Sequence, residues 1–145
     1  MDFFTSMEVS ASGLTAERHR MNTASSNLAN VDTTKGADGG PYRRRDVVLQ
    51  AQAVSGAVAG SGAGGGTDPS YGVVVQKIQE DLSPPRMEYD PGHPDANADG
   101  YVAYPNVSAV SEMVDMITAS RAYEAGVTAL TTAVTMAERA LSIGK

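Results

Sequence analysis

From residue 106 to residue 145 the chain contains no proline, and apolar or small side chains recur every three or four residues. Met113, Met116, Ser120, Tyr123, Val127, Leu130, Val134, Ala137 and Leu141 fall on one seam, the spacing with which a long helix pairs with another. A seam of that length is not stable facing water and requires a partner helix. The N-terminal segment offers one: Met7, Leu14, Met21 and Leu28 repeat at seven, and Ala11, Ala24 and Val31 widen the same face. The two ends are therefore expected to pair with each other. The fold class that follows is mainly α, with long N- and C-terminal helices packed in a coiled-coil-like manner and a small β-rich, loop-rich insert between them.

Three regions follow from this pattern: an N-terminal helix within residues 1–34, an insert over 35–105, and a C-terminal helix over 106–145. The first helix starts near Asp2 or Ser6, either of which can cap it, and stops near Asn30, where the sequence turns polar. Asn27 and Asn30 stand where a helix end frays, and their carboxamides suit specific bonds to another helix or to a neighbouring subunit. In the insert, 42–49 and 71–78 read as strands, and Arg86–Tyr89 as a short returning strand after Pro84 and Pro85. Residues 51–67 are mostly Gly, Ala and Ser and read as a mobile loop, because ordering them would lose much entropy and bury little area. Pro105 and Asn106 start the last helix, whose Gly126 leaves the backbone open to close approach. Acidic Glu112 and Asp115 near its start and Arg139 and Lys145 near its end match the helix dipole.

Composition removes several function classes. The 145 residues carry a formal charge of −6, and the longest basic run is Arg43, Arg44 and Arg45, which argues against a nucleic-acid footprint. No apolar stretch approaches the roughly twenty residues of a membrane-spanning helix, and residues 1–30 lack the pattern of a cleaved signal peptide. With no Cys and two His, there is no thiolate or histidine-rich metal centre, and no cofactor motif is present. Asp95, Asn97, Asp99 and Gly100 match the first half of an EF-hand calcium loop, but the position that requires a bidentate Glu is Asn106. A turn-rich acidic loop is the expectation there. His19 and His93 lack the nucleophile and orienting group that covalent catalysis needs. The three arginines suit ion pairs with carboxylates across a subunit contact, a solvated basic turn being the alternative. Tyr101 and Tyr104 flank the start of the last helix, where they can seal a small core or an interface. A soluble coiled-coil adaptor and, less favoured, a calcium-binding module remain as alternatives to a larger structural assembly.

Specific strings narrow the choice. Residues 20–34, Arg-Met-Asn-Thr-Ala-Ser-Ser-Asn-Leu-Ala-Asn-Val-Asp-Thr-Thr, resemble the N-terminal signature of bacterial flagellar basal-body rod proteins and hook proteins. Gly-Gly-Pro-Tyr-Arg-Arg at 39–44, Asp-Pro-Gly-His-Pro-Asp-Ala at 90–96 and Asp-Gly-Tyr-Val-Ala-Tyr-Pro-Asn-Val at 99–107 resemble proximal rod subunits of the C type. Residues 112–125, Glu-Met-Val-Asp-Met-Ile-Thr-Ala-Ser-Arg-Ala-Tyr-Glu-Ala, resemble their C-terminal signature.

The resemblance implies a structural subunit, not an enzyme. Its terminal helices would form the axial part of a hollow shaft around an export channel and would help transmit torque from the membrane-anchored ring to the distal rod and hook. It implies, as partners, other proximal and distal rod subunits, the rod-base adaptor and ring, and the flagellar export apparatus. The place implied is the basal-body rod across the periplasm, reached from the cytoplasm without a cleaved signal. Carried over residue by residue, the assembly positions are Asn22, Asn27, Leu28, Asn30 and Thr33 in the first signature and Met113, Met116, Ile117, Arg121, Tyr123 and Glu124 in the second. The seam residues Met7, Leu14, Met21, Val127, Leu130 and Val134, together with Arg43 and Arg44, complete the expected interface. The chain departs from the usual pattern at Gly126 and Thr131, where Asn is usual, and at Val134, near which Lys is usual.

Overall fold

The computed structural model describes residues 3–36, 38–54 and 70–143. The element order is α1 (Phe3–Ala29), β1 (Arg45–Ala53), β2 (Tyr71–Glu80), β3 (Arg86–Tyr89), β4 (Tyr101–Tyr104) and α2 (Ala109–Ile143). Two long helices at the ends enclose a small β insert, so the chain is mainly α.

Helix α1 is rich in Ser and Thr, which would otherwise divert the backbone. Ser6, Ser10, Ser12 and Thr15 instead donate to carbonyls three or four residues back, within the helix. Asn30 stops it, its side chain donating to the Ser26 carbonyl at 2.8 Å and its Oδ1 accepting from Thr33. Helix α2 starts at Ala109, three residues later than Pro105 and Asn106 suggest, because Ser108 is the residue that caps it: Ser108 Oγ accepts from the Ser111 N–H. Pro105 is buried beneath that start.

The helices run antiparallel, with Leu14 against Gly126 and Asn27 against Glu112. The buried line of α2 is Glu112 and Ala119, continued by half-buried Met116, Tyr123, Gly126, Leu130, Ala133 and Ala137. The expected seam is thus rotated by one residue along half of its length. Met116, Tyr123, Leu130 and Ala137 face inward as anticipated, but Glu112, Ala119 and Gly126 replace Met113, Ser120 and Val127 at the centre, and Ala133 joins half-buried Val134. Small side chains allow the helices to approach closely, and the bulkier Met113 and Val127 are left exposed. Leu141 is exposed too, for a different reason: the 35-residue α2 outruns the 27-residue α1 at that end.

Gly126 shows how close the approach is, since a Cβ there would lie 2.8 Å from Leu14 Cδ2. Gly126→Ala gains about 1 kcal/mol of helix propensity but overpacks the contact by about 1–3 kcal/mol. The variant is expected to be less stable than the parent in urea unfolding. In a Leu14→Ala background the clash disappears, and the same substitution is expected to stabilise.

The insert forms two separate two-stranded antiparallel sheets, β1–β2 and β3–β4. Arg86–Tyr89 is a strand as expected, but it pairs with Tyr101–Tyr104 instead of returning to β2. The strand character of Tyr101–Tyr104 has a local cause. Gly100 takes φ +81°, which allows the reversal, and Asn97 Oδ1 accepts from the Asp99 and Tyr101 N–H groups to hold the turn. The acidic loop is thereby closed by its own Asn. The β1–β2 hairpin carries a bulge where the register shifts between Val48 and Leu49. Of the expected loop 51–67, residues 51–53 belong to β1, and 55–67 lie outside the described residues. The hairpin meets α1 through Ser12, whose Oγ accepts from the Val73 N–H at 3.0 Å.

Candidate functional site

The last turns of α1, the first turn of α2 and the start of β1 converge on a buried polar junction. Asn27 is 1% exposed and uses every hydrogen-bonding position of its carboxamide. Its Nδ2 donates to the Arg45 carbonyl at 2.8 Å and to Glu112 Oε2 at 2.9 Å. Its Oδ1 accepts from the Arg45 N–H and from the Tyr42 hydroxyl, both at 2.9 Å. The side chain thus bonds the start of β1 as a neighbouring strand would, while belonging to a helix.

Glu112, also 1% exposed, is the only fully buried ionisable side chain among the described residues. Its second oxygen accepts from Arg44 Nε at 2.6 Å. The Arg44 guanidinium reaches further, to Asp46 at 3.5 Å and Asp115 at 3.8 Å. Burial by itself would lower the Arg44 pKa, but the hydrogen bond and charge of Glu112, with Asp46 behind it, hold it above its ordinary value. Glu112 also sits in the first turn of α2, where the helix dipole favours a carboxylate. Among the described residues no buried side-chain polar atom lacks a hydrogen bond. A fully paired network of this kind penalises shifted packings, because any slip strands its members in low dielectric.

Beside the junction, Tyr42, Arg43, Arg44, Asp81, Leu82 and Pro85 line an open concavity of about 470 Å³. At its rim Asp81 accepts from the Ser83 hydroxyl and N–H, which hold its carboxyl below the ordinary value. Among the described residues, no three His, Cys, Asp or Glu side chains are grouped to hold a metal ion. No described helix is long and apolar enough to cross a membrane.

The expected assembly residues divide into two sets. Asn27, expected to bond another helix or a neighbouring subunit, reaches Glu112 of α2 within the chain, and Arg44, expected at a subunit contact, pairs with the same carboxylate. Leu14 packs on Gly126 between the helices, and Met7, Met21, Leu28, Met116, Tyr123, Leu130 and Val134 are half-buried. Asn30 and Thr33 cap α1. Asn22, Arg43, Met113, Ile117, Arg121, Glu124 and Val127 are exposed. Sequence reasoning missed Tyr42, the Arg45 backbone and Glu112 as members of the junction. The available signal was an Asn and a Glu each placed on the apolar side of its helix, a pairing that only long-range contact makes meaningful.

Two family descriptions match the ends that build this junction. Residues 7–37 match flagella basal body rod proteins, and residues 98–143 match the C-terminal region of flagellar basal body rod FlgEFG proteins. The chain is 47% identical to the flagellar basal-body rod protein FlgC of Bacillus subtilis (strain 168) over the whole of both chains. It is 42% identical to that of Borreliella burgdorferi, covering 99% of this chain and 98% of the relative. Identity to FlgC of Salmonella typhimurium is 40% over 95% of each chain.

Proposed function

Because the chain belongs to the FlgC family of flagellar basal-body rod proteins, we propose that its copies assemble helically around an export channel as part of the proximal rod. It is a structural subunit of the basal body. The observation that carries the reading is the division of labour on α2. Its small-residue line packs on α1, and a row of larger apolar side chains, Val110, Met113, Val114 and Ile117, faces out. A monomer gains nothing from such a row, whereas a subunit surrounded by others buries it.

In this reading residues 1–34 and 106–145 form the axial layer, and 35–105 form the insert that contacts subunits at larger radius. Other rod subunits, the rod-base adaptor and the membrane-anchored ring are the neighbours. Torque passes through many such contacts in parallel, and the polar junction keeps each subunit from shearing internally. The chain performs no catalysis. It leaves the cytoplasm through the flagellar export apparatus without a cleaved signal and resides where the rod crosses the periplasm. Imaging of isolated basal bodies at a resolution that traces helices tests this. Both helices of this chain are expected around the axial channel in the proximal rod, and their absence there would overturn the proposal.

A further inference from the structure

Among the described residues, the β1–β2 hairpin leaves most of one apolar face exposed, with Val47 and Val75 half-buried. The pairs Leu49–Val75, Ala51–Val73 and Ala53–Tyr71 set six non-polar side chains on one face, and Val47–Ile78 continues it across the bulge. Tyr71 is 56% exposed and Ile78 50%. The opposite face is the one that meets the helix: a Cβ on Gly72, which pairs with Gln52, would lie 3.0 Å from Ser12 Oγ of α1. A two-stranded hairpin needs an apolar layer for stability, and this one meets its own helix through the other face, where Val54 and Gly72 are buried.

Helix α2 carries a surface of matching kind. Val110, Met113, Val114 and Ile117 stand at i, i+3, i+4 and i+7, with Val110 72% and Ile117 54% exposed. Both surfaces are largely exposed among the described residues, so neither covers the other. Charge fixes a register between them. One turn beyond Ile117 lies exposed Arg121, which makes no ion pair among the described residues. Two residues beyond Ile78 lies half-exposed Glu80, held only by Arg45 at 3.4 Å. The helical offset is about 6 Å and the strand offset about 6.6 Å, so Ile117 seated on Ile78 brings Arg121 to Glu80.

Resting on the rod-subunit reading, we propose that the outward α2 row of one copy docks on the apolar hairpin face of the next, with Arg121 paired to Glu80 of that neighbour. Donor and acceptor surfaces differ, so the contact is heterologous and propagates from copy to copy.

The absence of Cys makes disulfide trapping clean. Full-length Ile78→Cys and Ile117→Cys chains, co-expressed in a motile host, are oxidised in isolated basal bodies. The expected product is the 78-to-117 cross-link in excess over 78-to-78 and 117-to-117. Arg121→Glu in the Ile117→Cys chain is expected to reduce its yield about ten-fold through like-charge contact, and Glu80→Arg in the Ile78→Cys chain to restore it. Circular dichroism of the purified variants checks that each still folds. Equal yields of the three products, a cross-link to a different rod protein, or no restoration by the second reversal would overturn the docking. Chains present in basal bodies without the 78-to-117 product refute the docking and leave the rod reading standing. Chains absent from basal bodies, even without substitutions, refute both.

Discussion

Asn27→Leu is expected to lower the unfolding free energy by about 3–5 kcal/mol, a large share of what a domain of this size possesses. Leucine has a similar volume, so the loss does not come from a cavity. It comes from four groups losing their partner at once: the Arg45 N–H and carbonyl, the Tyr42 hydroxyl and one oxygen of Glu112. Tyr42 and Arg45 can recover water at the surface, but Glu112 cannot. Glu112→Ala is expected to cost about 3 kcal/mol, near the lower end for a broken buried pair, because Arg44 keeps about a quarter of its side chain in solvent and can rehydrate. The two losses should not add, since both remove the same bond, and the combined variant is expected to be more stable than their sum predicts. Urea unfolding of the four chains measures this. Losses below about 1 kcal/mol for both single variants would mean that the junction does not hold the helices together.

The second large effect separates the inside of the subunit from its outside. Ile117→Asp is expected to leave the free chain within about 0.5 kcal/mol of the parent, as surface substitutions do, yet to abolish swarming. A carboxylate placed on the outward row is harmless in water and costs several kcal/mol once a neighbour buries it unpaired. Leu130→Asp should behave in the opposite order. Leu130 lies in the line between the helices, so the free chain itself loses stability and falls in abundance before any assembly defect can be scored. Urea unfolding and a swarm-plate assay read side by side give the comparison. Normal swarming with Ile117→Asp would remove the outward row from any interface.

The two helices were legible because their periodicity is local and long. Even the direction of the inward face came within one residue. The error arose because hydrophobicity ranks Met113 and Val127 above Ala119 and Gly126, while close antiparallel packing ranks them the other way. Asn27 was identifiable as a specific amide, and its three-residue neighbourhood of polar side chains marked the helix end. Its partners lie 18 and 85 residues away, and no spacing rule connects them. Glu112 looked like a dipole partner in a first turn, which it also is; burial is a property of the fold, invisible in that turn. The β3–β4 pairing escaped for a similar reason, since the Asn97 side chain and the backbone freedom of Gly100 together make a reversal that composition alone marks only as a loop.

The 85-residue interval between Asn27 and Glu112 has a consequence for any chain delivered one end first. Extended, that interval measures about 280 Å, so in a narrow conduit the first helix travels far ahead of the group that completes its polar contacts. Until residue 112 arrives, the Asn27 side-chain N–H and the Arg44 Nε that meet Glu112 can be satisfied only by water, and that side of α1 stays solvated and open. A product that stops short of residue 112 never acquires the closing carboxylate. The junction therefore works as a receipt for the whole polypeptide: only a chain that has come through to its last helix can become rigid.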